Sequence, residues 1–258
     1  MQNASKDRLA RIAQSISNRA TRAIPVKLLR LRLERPIASF TFDDFAKSAW
    51  LTGGKIVEDF GARATFYVSG ALQSSIHHGV HCYDKEDLIS LTAQGHDLGC
   101  HTYDHIAVTV HSASGIEENL ESNAQYVKSL TGKEMASFAY PFGLASVRKK
   151  RLLAERFKAS RGIYPGINAG WTDFSQLNAL CLHQGELPIE KYIQKALKQN
   201  GWLIFVGHDV DERPSAFGCT PKVLENALRL VSEAGIELMT VEAALRRILE
   251  TGALFADA

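Results

Sequence analysis

The chain reads as a single-domain α/β protein built on a parallel sheet, because short apolar runs rich in β-branched and aromatic residues alternate with longer segments of helical periodicity. Two further observations agree. With 258 residues and 45% hydrophobic content the chain can bury a full core, and barrels of this size commonly form one domain. Acids and histidines also recur at the C-terminal ends of the predicted strands, where parallel barrels gather their functional groups. No internal repeat, low-complexity tract or long linker interrupts the pattern.

The elements follow in order. Residues 37–42 form an apolar run that reads as a buried strand. Residues 46–60 read as a helix and residues 64–69 as a strand, since Thr65, Phe66, Tyr67 and Val68 favour extension. A helix over residues 85–93 leads into a short strand framed by Gly95 and Gly99 and ending at His101. Residues 115–130 read as a helix with acids early, favourable at its N-terminus, ahead of a strand over residues 135–140. Helices over residues 146–157, 188–199, 221–234 and 241–249 then alternate with strands near residues 158–162, 202–208 and 236–240.

The first 35 residues differ in character. They hold nine Lys or Arg and two acids, a net +7, so with +2 overall the remainder carries −5. Leu9, Ile12, Ala13, Ile16 and Ala20 recur at near-helical spacing among basic residues, which permits an amphipathic helix in peripheral contact with an anionic membrane surface. A helix packed on the barrel with a solvated basic face is the competing reading. The expected division is therefore a basic, helical extension over residues 1–35 and a catalytic domain over residues 36–258. The sequence shows no apolar core of signal-peptide type and no stretch of about 20 apolar residues. A cytoplasmic location is the expectation. Cys82, Cys100, Cys181 and Cys219 are widely spaced, which disfavours a disulfide framework and makes a reduced compartment acceptable. The acidic remainder and the lack of a binding motif argue against nucleic acid as a partner.

The chemistry is concentrated in two short stretches. Asp43 and Asp44 end the first predicted strand, and adjacent charges there are costly to bury unless an ion or hydrogen bonds hold them. His101 and His105 are four apart, so a helical turn after His101 would put both imidazoles on one face. Alone, an Asp pair after a strand is more often a helix cap, and a His pair at this spacing is a weak signal. Together, two imidazoles and a carboxylate make a three-ligand set typical of catalytic zinc or iron.

At these residues the sequence resembles the polysaccharide deacetylases, carbohydrate esterase family 4, across roughly residues 37–241. The family's Thr-Phe-Asp-Asp motif is matched by Thr41 to Asp44 and its His-(Ser/Thr)-x-x-His motif by His101, Thr102 and His105. Its Pro-(Tyr/Phe)-Gly motif is matched by Pro141, Phe142 and Gly143, and its last, an apolar strand ending near a His, by Leu203 to His208. The resemblance implies a distorted, incomplete (β/α) barrel and a metal-dependent hydrolase that removes acetyl groups from an acetylated carbohydrate. It further implies that Asp44, His101 and His105 hold a divalent metal, zinc, and that Asp43 is the general base acting on water. His208 would protonate the leaving amine, a step suited to an imidazole, and the backbone N–H of Phe142 would help hold the oxyanion.

Departures from the pattern raise their own expectations. The motif Arg that orients the catalytic Asp is missing from the run Ser137 to Pro141, and Arg161, at the end of the next predicted strand, is the candidate replacement. The family's Asp that supports the catalytic His is not cleanly matched. Asp173, beside Trp171, is the nearest candidate partner for His208, with Asp209 and Asp211 as rivals better read as loop caps. Tyr103, Tyr140 and Trp171 are the aromatics expected to line the substrate site. If the protein stays inside the cell, a nucleotide-linked or lipid-linked N-acetyl sugar used in surface polysaccharide assembly is a more natural substrate than wall polymer. Two other readings compete: a hydrolase of a small non-sugar amide, and a carbohydrate-binding protein that has lost catalysis.

Overall fold

A computed structural model describes residues 21–183 and 188–250, together with the backbone of residues 254–255. The amphipathic segment around Leu9 to Ala20 lies outside the described residues.

The described chain opens with β1 (Leu28–Leu31) and β2 (Ile37–Phe42). A π-helical stretch, Ala49–Gly54, continues into α1 (Lys55–Asp59), followed by β3 (Thr65–Val68) and a hairpin of β4 (Ile76–His77) and β5 (Val80–His81). Next come α2 (Lys85–Ala93), β6 (Asp97–Cys100), α3 (Ala113–Thr131), β7 (Ser137–Ala139), α4 (Val147–Arg156) and β8 (Ala159–Arg161). The remainder comprises β9 (Gly170–Asp173), β10 (Leu180–Cys181), α5 (Ile189–Gln199), β11 (Trp202–Gly207), α6 (Pro221–Glu233), β12 (Glu237–Leu238), α7 (Val241–Glu250) and β13 (Leu254–Phe255).

The main sheet runs β10-β11-β2-β3-β6-β7-β8, with β12 also paired to β2, and its pairings are parallel. Helices separate its successive strands, as parallel crossovers require, except β8 and β10, which stand at opposite edges. The sheet curls into an open half-barrel, the expected incomplete (β/α) barrel. β2 and β11 are interior strands, and every residue of both is buried. Phe40 stacks on Phe205 with centroids 4.6 Å apart, and Phe42, Phe45 and Trp50 close around Phe66. The π-helical stretch follows from this packing. A side chain at Gly54 would meet the Trp50 ring at 2.5 Å, so the wider helix turn and the bare glycine make room for the indole together.

A second, three-stranded antiparallel sheet, β13-β1-β9, lies apart from the main one. Residues 28–31 of the basic segment thus belong to a sheet with Gly170–Asp173, in register from Leu28 with Asp173 to Leu31 with Gly170. Lys150 anchors this region from α4: its buried ammonium donates to the carbonyls of Thr21 at 2.8 Å and Ile24 at 3.0 Å and pairs with Asp173 at 2.5 Å. Among the described residues no helix is long and apolar enough to cross a membrane.

The topology brings the C-terminal ends of β2, β6, β8 and β11 to one edge of the half-barrel. Asp43 and Asp44 follow β2, His101 follows β6, Arg161 ends β8 and His208 follows β11.

Candidate active site

The site starts from the backbone after β2. The Asp43 N–H donates to the Gly207 carbonyl at 3.0 Å, which extends the β2–β11 ladder by one rung before the chain turns. Asp44 and Phe45 then take left-handed conformations, at φ 60° and 51°. Phe45 is held there by stacking on Tyr83, centroids 4.5 Å apart, and by accepting the Tyr83 N–H at 3.1 Å. The two acids consequently face different neighbours.

Asp44 faces histidines. Its Oδ1 lies 3.0 Å from His105 Nε2 and 3.4 Å from His101 Nε2, and one ligand atom from each of the three residues lies within 4.8 Å of the others. His101 Nδ1 bonds the Ala139 carbonyl at 2.8 Å, which makes Nδ1 the protonated nitrogen and leaves the Nε2 lone pair free. Asp44 Oδ1 is buried and finds no partner of hydrogen-bond geometry. Burial raises the Asp44 carboxyl pKa, but the His101 and His105 imidazoles beside it outweigh that and hold the group well below the usual carboxylate range. Two imidazoles and a carboxylate converging on an unsatisfied oxygen suit a divalent cation.

The sequence expectation of a helical turn joining the two histidines is corrected. Residues 101–107 form a loop in which Thr102 (φ 64°) and His105 (φ 52°) are both left-handed. Thr102 Oγ1 accepts the Ile106 N–H at 2.9 Å, and Asn119 Oδ1 accepts the N–H groups of Tyr103 at 2.6 Å and Asp104 at 3.1 Å. Side chains rather than helical bonds bring the imidazole centroids to 5.0 Å.

Asp43 faces a cation. The Arg161 guanidinium is 1% exposed, donates through Nη2 to Asp43 Oδ1, donates through Nη1 to the Gly162 carbonyl at 3.0 Å, and sits over the Tyr67 ring at 4.8 Å. Burial raises the Asp43 pKa, but the charges of Arg161, His101 and His208 and the Arg161 hydrogen bond outweigh it, so Asp43 lies below its ordinary value. Desolvation also lifts the Tyr67 hydroxyl to about 12, which leaves it neutral beside this pair.

His208 closes the opposite side, its Nε2 4.0 Å from Asp44 Oδ2. Burial lowers its pKa, opposed by Asp43 and Asp44. Its Nδ1 is buried without a hydrogen-bond partner. Asp173, expected as its support, is not brought there. That carboxylate is bound by Lys150, by Ser175 Oγ at 2.5 Å and by the N–H groups of Ser175 and Lys27, both at 3.0 Å, because β9 pairs with β1 outside the main sheet. Asp209 accepts from the Ser215 N–H at 2.7 Å and Asp211 from the Arg213 N–H at 2.9 Å, the loop-capping roles expected of them.

Asp43, Asp44, His101, His105 and His208 line a cavity of about 140 Å³ with Tyr140, Phe142 and Ile163. Taking about 30 Å³ per water, it has room for a group the size of an acetamide. Phe142 adopts φ 60° in the Pro141–Gly143 turn and lays its half-exposed ring 4.6 Å from that of His105. Tyr140 reaches the cavity, but its hydroxyl is spent on the Ser175 carbonyl at 2.8 Å. Tyr103 packs instead against Gly70 and Tyr126, and Trp171, 52% exposed, lines a separate cavity with Arg22 and Tyr164. Neither lines the site: Tyr103 lies in the loop between the two histidines but turns its ring away onto Gly70 and Tyr126, and Trp171 stands on β9 outside the main sheet. Conversely, His77, His78, His183 and Phe217 surround it and escaped the sequence reading. His183 had a signal, in the apolar run Ala179 to Leu182 that ends on it as Trp202 to Gly207 ends on His208.

The family model for polysaccharide deacetylase matches residues 31–157, which include the Asp pair and both histidines of the cluster. Residues 31–157 belong to the polysaccharide deacetylase family. Solved structures agree on the fold. The Xyl-CE4 domain of a multidomain xylanase from the hindgut metagenome of Trinervitermes trinervoides superposes with TM-score 0.60 at 19% identity, covering 85% of this chain and 92% of that one. A putative polysaccharide deacetylase from Mycobacterium smegmatis gives 0.59 at 14% identity, covering 89% and 96%. A CE4 family pseudoenzyme from Bacillus anthracis gives 0.56 at 13% identity, covering 86% and 69%. No curated protein matches in sequence.

Proposed function

We propose that this protein is a metal-dependent hydrolase that removes acetyl groups from an N- or O-acetylated sugar. One observation carries the reading: a buried Asp-His-His cluster with an unsatisfied carboxylate oxygen lies beside a second carboxylate held by its own buried arginine. Asp44, His101 and His105 would hold the divalent metal, zinc being suited to that donor set. When bound, the metal supplies Lewis acidity toward an acyl oxygen and makes water nucleophilic at neutral pH.

The remaining work falls to the chain itself. Arg161 occupies Asp43 Oδ1, which leaves Oδ2 to take the proton of the attacking water. Arg161 also keeps Asp43 ionised, and so able to act as a base, at neutral pH. The Phe142 N–H, set at the cavity by the left-handed turn, would donate to the developing oxyanion. His208 would protonate the leaving amine or alcohol, and burial makes its imidazolium a readier proton donor. The presence of both Asp43 and its buried counter-charge argues against a purely binding role, which needs neither.

The test is acetate release by zinc-loaded and chelated protein from a panel of N- and O-acetylated sugars, oligosaccharides and nucleotide-linked sugars. Release that chelation abolishes supports the reading; metal bound in stoichiometric amount with no acetate from any sugar would sink it. Asp43→Asn should retain metal and lose roughly 10²–10⁴ in kcat, whereas His101→Ala should lose the metal. An active Asp43→Asn enzyme would overturn the base assignment.

A further inference from the structure

The hairpin of β4 and β5 stands between β3 and α2, and its turn residues His78 (φ 49°) and Gly79 (φ 79°) are both left-handed, as a tight two-residue hairpin turn demands. It is fixed at its base, where Ser74 N donates to the Tyr83 carbonyl at 2.7 Å and Cys82 N to the Ser75 carbonyl at 2.9 Å. Ile76 pairs with His81 and His77 with Val80. Alternation along the strand sends the Ile76 side chain to solvent, 65% exposed, and His77 to the other face, toward the cluster.

There His77 Nε2 lies 3.7 Å from Asp44 Oδ2, and its ring centroid is 5.0 Å from that of His105. Both His77 Nε2 and Asp44 Oδ1 are shut off from solvent and lack a hydrogen-bond partner. Buried polar atoms left in that state cost about 1–3 kcal/mol each, so two of them around one carboxylate call for an occupant that satisfies both. A cation does so, because it takes lone pairs from imidazole and carboxylate alike.

We propose that His77 is a fourth protein ligand of the metal, completing a set of Asp44, His77, His101 and His105 delivered by two loops and a hairpin. The proposal rests on the metal reading above and extends it to a residue on an element the sequence did not reveal. His77 approaches from the Oδ2 side, outside the tight group formed by the other three, so binding draws the two-residue turn inward. With three imidazoles and one carboxylate as ligands, water or substrate would enter by expansion to five ligands, which catalytic zinc sites sometimes undergo. Hairpin order and metal occupancy are then linked.

The experiment uses the full chain, stripped with chelator and titrated with Zn²⁺ and with Co²⁺, comparing wild type, His77→Ala, His77→Gln and His81→Ala. His81 lies on the same hairpin with its side chain exposed. Both His77 variants should bind Zn²⁺ about 10–100-fold more weakly, shift the Co²⁺ d–d bands and show one histidine fewer by X-ray absorption, while His81→Ala matches wild type. Zn²⁺ should protect the amides of residues 76–81 from hydrogen exchange in wild type and not in the His77 variants. Circular dichroism confirms that each variant is folded. Unchanged affinity and spectra in folded His77 variants would overturn the proposal alone. So would weakened affinity with an unchanged spectrum and histidine count, which would make His77 a support for Asp44 rather than a ligand. A wild-type protein that binds neither ion would remove the metal reading as well.

Discussion

The Arg161–Asp43 pair sets a measurable stake in this fold. Arg161 is 1% and Asp43 3% exposed, so neither charge has water to fall back on. Replacing Arg161 by Met keeps the bulk over Tyr67 but leaves Asp43 buried without its nearest cation, a loss of about 3–5 kcal/mol for breaking such a pair from one side. For a chain of this length each kcal/mol moves Tm by about 2 °C, so the expected fall is roughly 6–10 °C. Asp43→Asn should cost a comparable amount by stranding the guanidinium. The double replacement removes both charges and should lose clearly less than the two single losses added, a coupling of about 2–3 kcal/mol. Urea unfolding of chelated protein is the right assay, because metal binding would otherwise add its own linkage to the folded state. The pH dependence has a definite sign. The Asp43 pKa is lower in the folded chain than in the unfolded one, so the pair's contribution is full above the unfolded carboxylate value of about 3.9 and is lost as pH falls through the folded value. The gap between wild type and Arg161→Met should therefore narrow as pH falls, because the variant's buried and unpaired Asp43 takes up a proton at a higher pH than the wild-type group. Strictly additive losses, or an Arg161→Met variant within about 1 kcal/mol of wild type, would refute the claim that Arg161 is the counter-charge that holds Asp43.

Asp173→Ala should cost about 3–5 kcal/mol by leaving the fully buried Lys150 ammonium without its carboxylate, measured by urea unfolding. It should leave the His208-dependent limb of the pH–rate profile in place, and a moved limb would restore Asp173 as the partner of His208. Asp97 offers the opposite pH signature, because burial and then the charge of Glu242 lift its carboxyl to about 7 while the unfolded value stays near 3.9. Its contribution is complete below that unfolded value and is lost as pH rises through about 7, so Asp97→Asn should gain stability on wild type by roughly 2–4 kcal/mol between pH 5 and pH 8; parallel urea midpoints would refute the shift. Trp171→Ala should leave kcat/KM on a small acetylated sugar unchanged, and a tenfold loss, about 1.4 kcal/mol of transition-state binding, would place the indole at the site after all.

What the sequence disclosed follows a physical divide. Groups fixed by the parallel sheet were legible, because a buried apolar run announces a strand and the strand's end places whatever follows it. Asp43, Asp44, His101, Arg161 and His208 all stand at such ends, and helices such as Lys85–Ala93 carry their own caps, here the reciprocal bonds of Asp84 and Asp87. Groups fixed by long-range side-chain bonds were not. Nothing local in His101 to His105 signals that Asn119, on a later helix, holds the loop in left-handed conformations, so the spacing suggested a helical turn instead. Asp173 illustrates the same limit, since its neighbours come from β1, a short strand with no turn signal linking it to β9.

The same divide explains the histidines that were missed. His77 and His183 carry no metal-ligand spacing relative to Asp44, His101 or His105, and each becomes a neighbour of the site only when β4 folds back on β5 and β10 pairs in parallel with β11. A motif records the ligands that one strand end or one loop can deliver. The remaining groups at a barrel mouth come from insertions between strands, where the sequence is free to vary because the sheet does not constrain it. The groups that the motifs do not record therefore sit on the Ile76–His81 hairpin and on the segment ending at His183, beside the Asp-His-His cluster that the motifs do record.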